Sequence, residues 1–257
     1  MRNACSRARV DSSAVRGSCP NSRGKIRTMS FCLFVEYRNA PAFRIDDALR
    51  LRLAGMLGST PGLSSAHLYT PEQASDPFLD DGAPPPLALQ LYFASLPLLE
   101  AAAAGNGHLQ SLADAAAFPE FAGAGATQQA MLVREFPVPD PAMRGSPHCT
   151  YLVAYEGPAE DPNAWHGFYL AHHPAIMATM PGVREVEVCT RVDWVSFLPW
   201  QRADHMQRNK VAFDSAQALT AALNSPVRKA MREDYGKFPA FSGKVTHFPM
   251  STLVIRP

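Results

Sequence analysis

Apolar and polar residues recur along most of the chain at the spacings of short strands and amphipathic helices. Ser30 to Tyr37 reads as a strand, and Asp46 to Leu57 reads as a helix with leucines 49, 53 and 57 on one face. Further along, the pattern predicts strands at 65–69, 87–93 and 130–136, and a helix at 96–104. The predicted order of this part is βαββαβ.

The same order returns after a proline-rich stretch, residues 137–147, whose composition is typical of an exposed connection. Here the pattern predicts strands at 151–155, 183–188, 209–213 and 246–255, helices at 163–180 and 216–223, and an irregular loop at 193–208. The second half therefore repeats the arrangement of the first.

Individual residues repeat as well, always 120 positions apart. Pro61-Gly62 corresponds to Pro181-Gly182, and the segment FPEFAG at 118–123 corresponds to FPAFSG at 238–243. Phe93, Ser95 and Leu99 have partners at 213, 215 and 219. Several matches at one spacing indicate an internal duplication.

We therefore predict an α+β fold made of two tandem ferredoxin-like βαββαβ units, whose sheets face each other within one chain. The expected domains are 29–137 and 148–257, joined by a linker at 138–147. Residues 1–28 are rich in Arg and Ser and lack the apolar segment of a signal peptide. We interpret them as a disordered or non-native extension.

Composition excludes several classes of function. Residues 1–28 hold seven Arg and Lys against one Asp, so the remainder is mildly acidic and has no basic stripe for nucleic acid. No apolar run is long enough to span a bilayer. The five cysteines form no CxxC pair, which is typical of reduced thiols and favours a cytoplasmic location. The motifs of nucleotide-binding loops, serine hydrolases and zinc proteases are absent from the sequence.

Several motifs of the second half occur in the order known from one protein family. They are Tyr155 followed by Gly157-Pro158, an aromatic-rich helix ending in His173-Pro174, and the segments MPGVREVEV, AFDS and SPVRKAM. Over roughly 150–255, this half resembles the EthD-like branch of the dimeric α+β barrel proteins. That family also contains small lactone isomerases such as methylmuconolactone methylisomerase. The resemblance implies that two such units pack sheet to sheet as a barrel.

The resemblance also implies a role for His173, which holds the position of a histidine common in this branch and would point into the cleft between helix and sheet. A histidine there can take and give a proton near neutral pH without a cofactor. Leu53 occupies the matching position of the first half, so we expect one working site and one degenerate site. The alternative for His173 is a structural hydrogen bond at a helix end.

Other candidates surround this histidine. His166 lies two turns away on nearly the same side of the helix, and with Tyr169 it completes the predicted catalytic set. His172 faces elsewhere and is interpreted as a surface or interface residue. Tyr155 is a candidate for substrate binding. No metal is expected, because the spacing of the two histidines is not that of a known zinc site.

The loop from Asp193 to His205 is unusually aromatic, which favours a lid or a ligand wall. We predict that Trp194, Trp200, Arg202 and His205 help to bind the substrate, with the guanidinium holding a carboxylate. The alternative is that the two tryptophans only pack the halves together.

These observations predict a cofactor-independent lyase or isomerase that acts on a small carboxylated ring or lactone in aromatic catabolism. One alternative is a haem protein, because relatives with tandem barrels use a helix histidine as the axial ligand of the iron. Another is a non-catalytic module that binds a small molecule. The expected partner is a small-molecule substrate rather than nucleic acid or a membrane, and whole chains can form a homodimer.

Overall fold

The computed structural model describes residues 30–38 and 45–257, so the predicted extension at 1–28 lies outside the described residues. The elements follow in the order β1 (Ser30–Arg38), α1 (Asp47–Gly58), β2 (Leu63–Pro71), β3 (Leu87–Phe93), α2 (Leu96–Ala102), β4 (Gly125–Phe136), β5 (His148–Tyr155), α3 (Pro162–Met177), β6 (Val183–Arg191), β7 (Gln201–Arg202), β8 (Gln207–Phe213), α4 (Ala216–Leu223), α5 (Pro226–Tyr235) and β9 (Val245–Ile255). Two short 3-10 helices, His108–Ala113 and Pro119–Phe121, lie between α2 and β4.

Helices α1 and α3 begin at aspartates that cap their first turns. The side chain of Asp46 accepts a hydrogen bond of 2.8 Å from the backbone N–H of Leu49. Asp161 accepts two, from the N–H groups of Asn163 at 2.9 Å and Ala164 at 3.0 Å. These bonds satisfy N–H groups that have no partner inside the helix. In the part of the chain that the structure describes, no helix is long and apolar enough to cross a membrane.

Eight of the strands close into an antiparallel barrel. Within the first half the strands pair in the order β4-β1-β3-β2, and within the second half in the order β9-β5-β8-β6. Two seams join the halves, since β2 pairs with β9 and β4 pairs with β6. The short strand β7 lies parallel beside β4. Closure leaves none of these eight strands with an open edge.

Each half has an apolar core between the outer face of its sheet and its helices. In the first half, Leu49, Leu53 and Leu57 of α1 pack against leucines and aromatic residues of the sheet. In the second half, Trp165 and Tyr169 of α3 pack against the other sheet. The inner faces of both sheets line the barrel, where smaller apolar clusters alternate with buried polar side chains.

The predicted spacing of 120 residues recurs in the elements themselves. Strands β2, β3 and β4 begin 120 positions before β6, β8 and β9. Gly62 and Gly182 begin the matching strands with φ of 77° and 76°, a left-handed conformation that favours glycine. The register shifts at Leu63/Ser65 in one half and at Val183/Glu185 in the other, so even this irregularity is repeated.

The structure differs from the sequence prediction in two places. Helix α5 was not predicted, because half of its sequence PVRKAMREDY is charged and its buried side chains are Arg228, Met231 and Asp234. The loop predicted at 193–208 contains β7, and its last two residues belong to β8. A polar strand such as Gln207-Arg208 lacks the apolar alternation by which strands are detected.

Candidate functional site

A cavity of about 470 Å³ lies in the second half, between the sheet and helices α3 and α5. Much of its wall is aliphatic or sulfur-containing, with Val153, Val211 and Val245 on the strands and Met177 and Met231 on the helices. Polar groups reach it at few points. A mostly apolar cavity with a few convergent polar groups is the usual form of a small-molecule site.

His173 of α3 and Asp234 of α5 form a buried pair at this cavity. Their exposed fractions are 5% and 7%, and the Nδ1 atom of His173 lies 2.8 Å from Oδ2 of Asp234. A carboxylate can only accept, so Nδ1 carries the proton and Nε2 is left with a lone pair. This arrangement fixes the tautomer and orientation of the imidazole.

The electrostatic surroundings keep His173 neutral at pH 7. Burial lowers its pKa below the ordinary value of 6.5, although the hydrogen bond and the charge of Asp234 act in the opposite direction. Arg228 lowers the pKa further by repulsion. A neutral imidazole is the form that accepts a proton or binds a metal.

Tyrosine and asparagine side chains form the polar part of the sheet side. The amide nitrogen of Asn209 donates to the hydroxyl of Tyr169 at 2.6 Å, and the hydroxyl of Tyr169 interacts with that of Tyr155. Burial raises the pKa of both tyrosines, so both hydroxyls keep their protons near neutral pH. The ring of Tyr169 also packs 5.0 Å from that of His173. The structure thus brings Tyr155, Tyr169 and His173 together.

A loop of the first half covers this cavity. Asp76, between β2 and β3, accepts hydrogen bonds from the hydroxyl of Tyr151 at 2.9 Å and from Arg228 at 2.8 Å. Asp81 of the same loop lies 2.8 Å from Nδ1 of His247, and Leu79 lines the cavity itself. Each half of the chain therefore contributes to one site.

Four residues of the site were not predicted from the sequence, namely Asp234, Arg228, Asp76 and Asp81. A signal existed for helix α5, because Arg228, Met231 and Asp234 follow each other at a spacing of three and so share one helix face. Nothing comparable exists for the two aspartates of the loop. They reach the site only through contacts more than 70 positions away.

His166 and His172 lie apart from the cavity. Each ring nitrogen Nδ1 contacts the carbonyl oxygen four residues earlier, at 2.9 Å from Pro162 and at 2.8 Å from Phe168. His166 packs its edge against Trp165 and is absent from the cavity wall. The structure does not bring it to His173.

The aromatic loop lies over the first half instead of the second. Trp194 and Trp200 pack against the core of the first half, and Arg202 stacks on Trp194 at 4.6 Å. His205 contacts Arg208 at 3.2 Å through its Nδ1 atom. None of these four predicted binding residues lines the cavity at His173. The sequence did not show this placement, because strand order alone does not show which sheet a long loop crosses.

The corresponding region of the first half is filled with side chains. Leu53 takes the place of His173 and is fully buried in the same core as Leu198. Trp200 lies 5.8 Å from Tyr37, whose ring in turn packs 4.4 Å from Phe121. The loop between β6 and β8 of the second half thus packs its apolar side chains against the core of the first half.

Metal-ligating side chains are not clustered here. Among residues 30–38 and 45–257, no group of three or more His, Cys, Asp or Glu side chains is arranged to hold a metal ion. At His173, the Nε2 atom that Asp234 leaves unengaged is a candidate donor.

No family model and no curated protein matches the chain. Solved structures do match it. An anthrone oxidase-like protein is 14% identical, with a TM-score of 0.57 over 89% of this chain and 93% of that one. A protein from Lactobacillus acidophilus described as a candidate monooxygenase is also 14% identical, with a TM-score of 0.50 over 90% and 97%.

An ethyl tert-butyl ether D family protein from Bacillus halodurans is 22% identical, but the match covers 38% of this chain and 96% of that one, with a TM-score of 0.31. This match does not place the chain in that family. At such identities the longer matches show the fold alone. The chain has the fold of the dimeric α+β barrel proteins, and a single polypeptide supplies the whole barrel.

Proposed function

We propose that this protein is a cofactor-independent lyase or isomerase in which His173 acts as general acid and base on a small ring compound. The observation that carries the proposal is the buried pair of His173 and Asp234 beside a mostly apolar cavity. A positioned histidine of this kind contributes roughly 10² to 10⁴ in rate.

The chemistry follows from the two ring nitrogens. Asp234 holds the proton on Nδ1, so Nε2 accepts a proton from a substrate carbon next to a carbonyl group. The imidazolium that forms is stabilised by the carboxylate and returns the proton at another position. The atoms balance within the substrate, and no other reactant is required. The protonated hydroxyl of Tyr155, which lines the cavity, supplies a hydrogen bond to the carbonyl oxygen that becomes negative, and Tyr169 and Asn209 position that hydroxyl.

The cavity favours a ring with one acidic group. Its aliphatic and methionine walls suit a hydrocarbon body, and Arg232 lines it close to the surface, where its guanidinium packs 4.3 Å from the ring of Phe78. Arg228 is less available, because its charge is paired with Asp76. We propose that Arg232 receives a carboxylate or a lactone oxygen of the substrate.

We also propose that the two halves, 29–137 and 148–257, are tandem ferredoxin-like units related to the EthD branch. The repeated spacing of 120 residues and the repeated register shift support this relation. The second unit then carries the working site and the first serves as its scaffold.

Haem binding is the second candidate, and the same pair favours it. A histidine whose other nitrogen is held by a carboxylate is a good axial ligand. His173 would hold the iron, and Arg232, which lines the cavity close to the surface, would pair with an acidic side chain of the porphyrin. Bound haem would supply redox chemistry. His173, held by Asp234, would donate electron density to the iron.

A substrate screen separates the candidates. Wild type, His173→Ala and the exposed control His172→Ala are assayed with lactones and with ring-cleavage acids, without added cofactor. We expect kcat/KM to fall about 10² to 10⁴ in His173→Ala and to stay near wild type in the control. Equal rates in all three proteins would remove His173 from the mechanism.

Reconstitution with haem is the parallel measurement. A Soret band that shifts in His173→Ala but not in His172→Ala would establish the haem candidate. A ligand that raises the Tm of wild type without any turnover would favour the third candidate, a non-catalytic binding module.

A further inference from the structure

The open end of the barrel beneath the linker contains a second cavity, of about 920 Å³. Its wall combines His67 of β2, His148 of β5 and Glu185 of β6 with Val138 of the linker that crosses it. It shares no lining residue with the cavity at His173. No function was predicted from the sequence for any of these residues.

One group in this wall is left without a partner. His148 is only 6% exposed, and its Nε2 atom is buried without a hydrogen-bond partner in the described part of the chain. Leaving such an atom unpaired destabilises the folded protein. A buried polar atom at a cavity is therefore a candidate contact for a ligand.

A second imidazole stands beside it. The rings of His67 and His148 are edge to face with centroids 6.4 Å apart. The Nδ1 atom of His67 lies 3.4 Å from Nζ of Lys210, which can only donate, so Nδ1 accepts and the proton of His67 is on Nε2. His67 thus has an N–H group that Lys210 does not use.

The charges around the two rings favour a negative group. Lys210 is fully buried and is held by Glu185 at 2.9 Å and Glu187 at 3.1 Å. Burial is the largest cause that lowers the pKa of both histidines, and repulsion from Lys210 is the second. This repulsion exceeds the opposing effect of Glu185. Arg256 adds positive charge near His67 and also lines the cavity.

Much of the remaining wall is apolar, although Glu135, Arg184 and Ser146 also belong to it. Phe136, Val138, Met143 and Val254 line it together with prolines of the linker. One side of the cavity therefore presents N–H groups and positive charge, and another presents hydrocarbon. A ligand that satisfies both sides has an acidic head and an apolar body.

We propose that this cavity is a second ligand site for a small organic carboxylate with a hydrocarbon body, whose carboxylate is held by His67, His148 and Arg256. The proposal is independent of the chemistry at His173. It assigns the linker a role as one wall of a binding site.

The test is calorimetric titration of the full chain with hexanoate and with hexanamide, its uncharged counterpart. We expect wild type to bind hexanoate at least tenfold more tightly than hexanamide. His148→Leu should weaken hexanoate binding by about tenfold to a hundredfold, the effect of losing a hydrogen bond to a charged group. His172→Leu, the same change on an exposed histidine, should leave it unchanged.

Arg232→Gln distinguishes the two cavities, because Arg232 is the proposed carboxylate contact of the cavity at His173 and does not line the second one. Hexanoate bound at the second cavity should survive this change. If His148→Leu does not fold, Arg256→Gln takes its place, because Arg256 is exposed. An affinity for hexanoate that falls at least threefold in this variant, with the affinity for hexanamide unchanged, supports the site. The proposal is overturned when wild type does not bind hexanoate. It is equally overturned when binding is lost only in Arg232→Gln, or when neither His148→Leu nor Arg256→Gln weakens it.

Discussion

The ion pair of Asp76 and Arg228 fastens the loop of the first half to the site in the second, and its removal should destabilise the protein strongly. The two side chains are 6% and 9% exposed, and their atoms are 2.8 Å apart. At an effective dielectric constant of about 20, two unit charges at this distance attract by about 6 kcal/mol. Desolvation offsets part of this attraction, but removing one partner leaves a buried charge uncompensated.

Asp76→Asn keeps the shape of the side chain and an acceptor for Tyr151 while removing the charge. We expect a loss of about 3 to 5 kcal/mol in the free energy of unfolding, which corresponds to a fall in Tm of roughly 6 to 20 °C for a chain of this size. Urea denaturation followed by circular dichroism measures it.

The control lies on the same helix. Lys229 and Glu233 are 3.8 Å apart but 84% and 63% exposed, so Glu233→Gln should change stability by less than about 1 kcal/mol. Adding Arg228→Met to Asp76→Asn should recover stability, because it removes the uncompensated charge. A loss below about 1 kcal/mol in Asp76→Asn, or no recovery in the double variant, would refute the reasoning.

Three further predictions concern the site, the first core and the turns. Burial lowers the pKa of His173 below 6.5, and the neutral ring is the base, so kcat/KM on a confirmed substrate should rise with pH to a limit reached near or below pH 7. A value of kcat/KM that declines as pH rises from 5 to 7 would contradict this role. Leu53→Ala should lower the free energy of unfolding by about 2 to 5 kcal/mol in urea denaturation, whereas Leu51→Ala, at a side chain 74% exposed, should change it by less than about 0.5 kcal/mol. Gly182→Ala should destabilise the folded protein by about 1 kcal/mol, because φ at this residue is 76°. Gly167→Ala inside α3, where an added Cβ meets no atom within 4 Å, should stabilise it by about 0.5 to 1 kcal/mol. Equal effects of the two changes on Tm would argue against backbone strain at Gly182.

The sheet could be predicted from the sequence because its signals are local. Alternating apolar residues locate the main strands, and the repeated Pro-Gly pair at 61 and 181 fixes their alignment between the halves. His173 could be placed by the same comparison, since its partner Leu53 keeps the helix pattern without the imidazole.

The remainder of the site could not be predicted, because it depends on contacts between distant segments. Asp234 lies 61 positions from His173, on a helix with too few apolar residues to be recognised. Asp76 and Trp200 belong to long loops, and each loop covers the half that it does not come from. The sequence contains no local feature that reports such an exchange.

The closed barrel has a consequence for how the chain folds. Strand β2 completes its hydrogen bonds only with β9, which is made long after it, and β4 only with β6. Until then a newly made first half exposes two unpaired edges, which are templates for aggregation. Contacts so far apart along the chain also make folding slow. Refolding should therefore be sensitive to protein concentration, and the first half expressed alone should self-associate through β2 and β4.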